Sequence, residues 1–161
     1  MRYIFRIAFV AVVALLFVGA GNKEVRFTEG IQPGNLAPAI NLQGIDLVNS
    51  DFVVLQFWAA YDPYSRAENT LMHNAISKLR NEKVKLVSVS LDKNTAVFKG
   101  VVKSDRLNET TQFNEPLGEK SDVYRKYRLN KGLGNWLINS EGVIVAKNVS
   151  HDEILKLIEN N

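Results

Sequence analysis

Residues Phe52-Val53-Val54-Leu55-Gln56-Phe57-Trp58 form a nearly unbroken apolar run, and this run constrains the fold more than any other feature of the chain. A strand of that composition must be covered on both faces, the condition of a central strand in a parallel or mixed sheet. The period then changes. From Arg66 to Leu79 the apolar residues Ala67, Leu71, Met72, Ala75, Ile76 and Leu79 recur at helical spacing, with Arg66, Glu68, Asn74 and Lys78 between them. Val84 to Leu91 returns to a valine-rich strand pattern. Strand, helix and strand in that order imply parallel pairing through a right-handed crossover. The expected class is therefore α/β, and 161 residues suffice for one domain with a real hydrophobic core.

The flanking segments extend this plan. Gly30 to Gly44, with Pro33-Gly34 and Ala37-Pro38, reads as loop, and Ile40, Leu42 and a turn at Gly44 predict a short edge segment. Val97, Phe98, Val101 and Val102 are expected to share one face of a second helix. Leu107 to Pro116 is polar and irregular, a loop with a short strand near Phe113. Ser121 to Tyr127 predicts a short helix that turns Val123, Tyr124 and Tyr127 inward. Trp136-Leu137-Ile138 and Val143-Ile144-Val145 read as strands, joined by Asn139-Ser140-Glu141-Gly142 in a hairpin. Ser150 and Glu153 have the spacing of a capping box, with Val149 and Ile154 placed for the hydrophobic staple, so a last helix runs through Ile158.

Composition excludes several chemistries. The chain has no cysteine, which removes disulfides, thiolate catalysis, zinc-thiolate sites and iron-sulfur clusters together. At the N-terminus Arg2 and Arg6 precede an apolar run from Ile7 to Val18, and Val18-Gly19-Ala20 offers small residues for cleavage. This is the pattern of a signal peptide over residues 1–20, leaving a domain of 21–161. The apolar run is shorter than the roughly 20 residues of a spanning helix, which favours cleavage over an uncleaved membrane anchor. No stable membrane span is then expected. Without Arg2 and Arg6 the formal charge of +3 falls to about +1, and no basic tract points to nucleic acid. His73 lies mid-helix and His151 in the first turn of the last helix, neither with a second ligand at metal-binding spacing. No metal or cofactor is expected, and His73 reads as a surface or partly packed residue.

The order of elements and several strings resemble the exported bacterial thioredoxin-like family, the thiol-disulfide oxidoreductases of the cytochrome-maturation and peroxiredoxin-related group. Gly34-Asn35-Leu36-Ala37-Pro38-Ala39-Ile40-Asn41-Leu42 is similar to that family's opening segment. Phe57-Trp58-Ala59-Ala60-Tyr61 followed by Arg66-Ala67-Glu68 is similar to the flanks of its active site, and Trp136 to Gly142 to its closing hairpin. The resemblance implies a thioredoxin-like mixed sheet flanked by helices, with a C-terminal β-hairpin and helix, in a protein of the periplasm. It also implies two cysteines where Asp62 and Ser65 stand, and a cis-proline where Leu133 stands within Gly132-Leu133-Gly134. A cis bond before a residue other than proline costs about 2.5–4 kcal/mol, so a trans bond is expected at Leu133.

With the sulfur gone, two readings of Asp62-Pro63-Tyr64-Ser65 stand side by side. In the first, Asp62 is a helix N-cap and Pro63 the first helical residue, and capping is their whole role. In the second, Tyr61, Asp62, Pro63, Tyr64 and Ser65 together with Gly132, Leu133, Gly134 and Asn135 make a non-catalytic surface for an envelope protein or peptide. Trp58 and Trp136 would either add to that surface or, sitting in apolar strands, belong to the core. The rival class is an enzyme, either an oxidoreductase acting through a partner's thiols or a hydrolase using Asp62. Ser65 and His73 are no nucleophile and base, because eight helical positions separate them by roughly 12 Å.

Overall fold

The computed structural model describes residues 27–40, 50–79 and 83–160. The expected signal peptide, the boundary after residue 20, and Leu42 and Gly44 of the edge segment lie outside the described residues. Among the described residues five strands, β1 (Phe52–Trp58), β2 (Val84–Ser90), β3 (Gln112–Asn114), β4 (Asn135–Asn139) and β5 (Ile144–Lys147), form one sheet in the order β3-β2-β1-β4-β5. Four α-helices accompany them among the described residues: α1 (Pro63–Leu79), α2 (Thr95–Ser104), α3 (Asp122–Lys126) and α4 (His151–Glu159).

The apolar run is the central strand. β1 pairs in parallel with β2, Phe52 opposite Val84, and antiparallel with β4, Val54 opposite Leu137. Val53 to Trp58 are all buried, and the pleat sends alternate residues to opposite faces. Val53, Leu55 and Phe57 join Val87, Val89, Tyr127 and Trp136 on one face. Val54 joins Met72 of α1, Leu137, and Ile154 and Ile158 of α4 on the other. Trp58, at the end of the strand, packs on Phe98, Val102 and Leu107. Both tryptophans therefore belong to the core.

On the first face the rings of Phe57, Tyr127 and Trp136 lie 4.9–5.6 Å apart, centre to centre. Their polar ends hold the segment before the sheet. The Trp136 indole N–H donates to the Ile31 carbonyl at 3.1 Å, and the Tyr127 hydroxyl donates to the Pro38 carbonyl at 2.8 Å. That segment also hydrogen-bonds along β5, with Gly34 N donating to Ile144 O and Ile144 N donating to Asn35 O, both at 2.8 Å. An edge that would otherwise present unpaired backbone is thereby covered.

The local signals form the elements expected of them. Asn139 Oδ1 accepts from Glu141 N and Val143 N, and Gly142 takes φ 79° to close the hairpin. Ser150 and Glu153 make the reciprocal capping box, and Val149 and Ile154 meet in the core beside it. The strand near Phe113 is β3, parallel to β2. Several positions differ from expectation. In α1, Ala67 and Leu71 of the apolar period are exposed, while the polar Ser65 and Asn69 are buried. Val97 does not share the buried face of α2: Phe98 and Val102 are buried, whereas Val97 is 44% exposed, because helical rotation carries neighbouring residues about a quarter turn apart. His73 is buried, and its Nε2 accepts the Asn108 backbone N–H at 2.9 Å, since the 107–111 segment returns across α1.

Candidate functional site

The start of α1 is built from its own side chains. Asp62 Oδ1 accepts the backbone N–H groups of Tyr64 and Ser65, each at 3.1 Å, and Pro63 needs no donor partner at the first helical position. The Ser65 hydroxyl accepts Ala59 N–H at 3.3 Å and donates to the Asp62 carbonyl at 3.2 Å. Ser65 is buried, its one proton is committed to a carbonyl, and no base touches it. A hydroxyl in that state is a strut of the turn rather than an activated nucleophile.

A second support comes from β2 and is not evident in any local motif. The Ala60 N–H donates to both carboxylate oxygens of Asp92, at 3.1 and 2.9 Å, and Ser90 Oγ donates to Asp92 Oδ2 at 2.7 Å. Asn114 of β3 donates to the Asp92 carbonyl at 2.8 Å. A buried carboxylate so supplied with donors fixes the turn that leads into α1. The sequence signal was available: Ser90-Leu91-Asp92 sits at the C-terminal end of a central parallel strand, where open α/β sheets place their sites. Gln56 offered another, being a polar residue inside the apolar run. It is buried, its Nε2 donates to Phe57 O at 3.1 Å, and its Oε1 has no partner.

Around this start the candidate residues divide. Tyr64, Ser65, Gly132, Leu133, Gly134 and Asn135 line a single groove of about 340 Å³, which Gln56, Glu68 and the 148–150 turn complete. Tyr61 lines a different cavity, of about 510 Å³, with Asp92 and Glu119. Pro63 faces a third hollow with Arg66 and Asp105, where the Arg66 guanidinium holds Asp105 by two bonds of 2.7 and 2.5 Å. Asp62 lines none of these three. Tyr61 and Tyr64 are exposed, at 65% and 74%.

The loop facing α1 is held with similar economy. Among the described residues no peptide bond is cis, so the bond before Leu133 is trans. The Asn135 side chain donates to Val149 O at 2.8 Å and accepts Val149 N–H at 3.1 Å, tying β4 to the start of α4. At Gly134 a Cβ would stand 2.0 Å from Asn148 Oδ1, so a larger residue there would displace the Asn148 side chain.

No protein-family model matches the chain, and no curated protein matches it either. Solved structures do. A thioredoxin-like protein from Parabacteroides distasonis is 40% identical, with a TM-score of 0.77 over 83% of this chain and 99% of its own. The chain belongs to the thioredoxin-like family. A domain from Bacteroides thetaiotaomicron, assigned as the C-terminal part of a thiol-disulfide oxidoreductase, is 27% identical, with a TM-score of 0.70 over 81% of this chain and 95% of that one. StoA from Bacillus subtilis shares the fold at 20% identity, with a TM-score of 0.62 over 76% of this chain and 98% of its own.

This thioredoxin-like chain thus carries the fold of the thiol-disulfide oxidoreductases with no cysteine anywhere in its sequence. Among the described residues no helix is long and apolar enough to cross a membrane, and no group of three or more His, Asp or Glu side chains could hold a metal ion.

Proposed function

We propose that the protein is a redox-inactive thioredoxin-like module of the bacterial envelope that binds a protein or peptide in the groove between α1 and the 132–135 loop. The observation that carries this reading is the contrast between the two sides of Ser65. Its hydroxyl and the Oδ1 of Asp62 are engaged by the helix start, while the groove beside them stays open, with the Gln56 Oε1 acceptor left without a partner. A buried acceptor with no donor of its own is costly, and a bound donor or water would relieve it. Export rests on Arg2, Arg6 and the apolar run to Val18.

A disulfide-reduction assay with purified protein and dithiothreitol tests the reading, the expected rate being that of dithiothreitol alone. Protein-dependent turnover with added thiols would overturn it and favour an oxidoreductase that acts through partner thiols. Hydrolysis of an ester or peptide that Asp62→Asn abolishes would favour the hydrolase. In pull-downs from periplasmic extract, a partner retained by the wild type and lost with Tyr64→Ala supports the groove. A partner indifferent to that change places binding elsewhere.

A further inference from the structure

Tyr61 parts company with the groove, and its surroundings have a chemistry of their own. Its cavity shares no lining residue with the groove of Tyr64 and Leu133. The floor is Ala60, Leu91 and the almost fully buried Asp92, and the walls include Val97, Lys93 and Glu119. Tyr61, Val97 and Leu117 are exposed large apolar residues, and Leu117 leads directly into the 118–120 turn that carries Glu119 to the cavity. Tyr61 and Val97 bring exposed apolar surface to one cavity, the kind of patch at which folded domains make contacts.

The charge of the cavity states what kind of contact. Asp92 and Glu119 line it and Asp62 adjoins Tyr61, and among the described residues none of the three has a cation within ion-pair distance. Asp92 is satisfied by an amide and a hydroxyl, which share its charge without neutralising it. Partial burial first, then the charges of Glu119 and Asp92, hold the Tyr61 phenol above its usual value, in keeping with a negative field at the ring. Lys93 also lines the cavity, with its stem carbons along Gly118, so the lining offers one ammonium against two carboxylates.

The N-terminus of α2 opens nearby, and a helix start favours anions. Here the Asn94 side chain has already taken the Ala96 N–H at 2.9 Å and the Val97 N–H at 3.4 Å. Two of the donors an anion would use are occupied, and the two carboxylates outnumber the one ammonium.

We propose that this cavity receives a lysine or arginine side chain from a basic segment of a partner protein, with the cation over the Tyr61 ring, facing Asp92 and Glu119, and a neighbouring apolar side chain on Val97. An aromatic face and nearby carboxylates both attract a cation, and Tyr61 supplies the face where the solvent-exposed turn leaves it open. The site stands apart from the groove and does not depend on it.

The test is a titration of the ¹⁵N-labelled protein with the capped peptide acetyl-Gly-Arg-Leu-Gly-amide, alongside the same peptide carrying uncharged citrulline for arginine. The expected result is that amide shifts centre on Ala60, Tyr61, Asn94 and Glu119. The arginine peptide should bind about five times more tightly than the citrulline peptide at about 0.05 M salt, and the ratio should shrink at about 0.5 M, where the Debye length is about threefold shorter. Glu119→Gln and Tyr61→Ala should each weaken arginine binding by about threefold or more, with Tyr64→Ala leaving it unchanged. Both altered residues are exposed, and an unchanged melting temperature confirms that the fold is kept. Equal binding of the two peptides, shifts confined to Tyr64 and the 132–135 loop, or no shifts at all would overturn the proposal. The groove and the Tyr61 cavity give separate signals in the same spectra, so either can fail alone.

Discussion

Ser65 shows how fully a single buried hydroxyl can be committed to structure. It accepts from Ala59 and donates to Asp62, so its hydrogen-bonding capacity is used to hold the turn. Replacing it leaves the Ala59 N–H without its acceptor, although the Asp62 carbonyl keeps the Arg66 N–H, and an unsatisfied buried group costs about 1–3 kcal/mol. Ser65→Ala is therefore expected to lower unfolding free energy by roughly 1–2 kcal/mol in a urea titration, with no effect on the background rate of disulfide reduction. A change in that rate without loss of stability would show that the hydroxyl takes part in chemistry. Gln56 differs in kind, because its unpartnered oxygen is an unmet demand at the groove rather than a bond of the fold.

At the scale of elements, α1 is fastened by polar contacts as well as by its apolar stripe. Asn69 donates to Gln112 at 3.1 Å and accepts from Ser88, which links α1 to β2 and β3 within the core. Nearer the site, Arg66 joins Asp105 just beyond α2. Its hydrogen bonds, and then its charge, hold the Asp105 carboxyl below the usual 3.8. A depressed carboxylate stabilises the folded state above its unfolded pKa, and that contribution is lost as pH falls through the lower folded value. The Arg66 side chain is 36% exposed, so solvent screening limits the pair to about 0.5–1 kcal/mol. Unfolding free energy should therefore drop by that amount as pH falls below about 4. Asp105→Asn should remove this part of the acid slope, and an identical slope in the variant would show that the pair contributes nothing.

At the scale of the whole molecule, Tyr127 joins three parts that are distant in sequence. Its ring packs on Phe57 and Trp136, and its hydroxyl holds Pro38. Burial, with a smaller contribution from Glu29, raises its pKa far above 10.0. A raised pKa means stability that is complete below the unfolded value and lost as pH rises through the folded one. Stability should thus decline in alkali above about pH 10. Tyr127→Phe should flatten that decline while costing about 1–2 kcal/mol at neutral pH, from the unsatisfied Pro38 carbonyl. Calorimetry at a series of pH values measures both, and an unaltered alkaline limb would refute the assignment.

Much of this architecture was legible in the residues. The run from Phe52 to Trp58, the periodicity after Arg66, the Asn139–Gly142 hairpin and the Ser150–Glu153 capping box are all local patterns, and each formed the element it encodes. The absence of sulfur was equally plain, as was the capping role of Asp62. Helical periodicity said less about Val97, because it marks the apolar residues of α2 and not the edge of the surface they pack against.

What only the tertiary structure decided depends on where the chain returns. Asp92 reaches Ala60 from 32 residues away, Asp105 reaches Arg66 from 39, and Asn108 meets the buried His73 from 35. No spacing rule contains such pairs, because they arise from strand order and crossover rather than from backbone period. Tyr61 and Tyr64 are three residues apart and read as one surface in sequence, yet the start of a helix turns the chain between them. One enters the cavity above β2 and the other the groove beside β4. Local pattern thus determined the frame and the loss of sulfur chemistry, while the packing of strand ends and returning loops determined that two surfaces stand where one was expected.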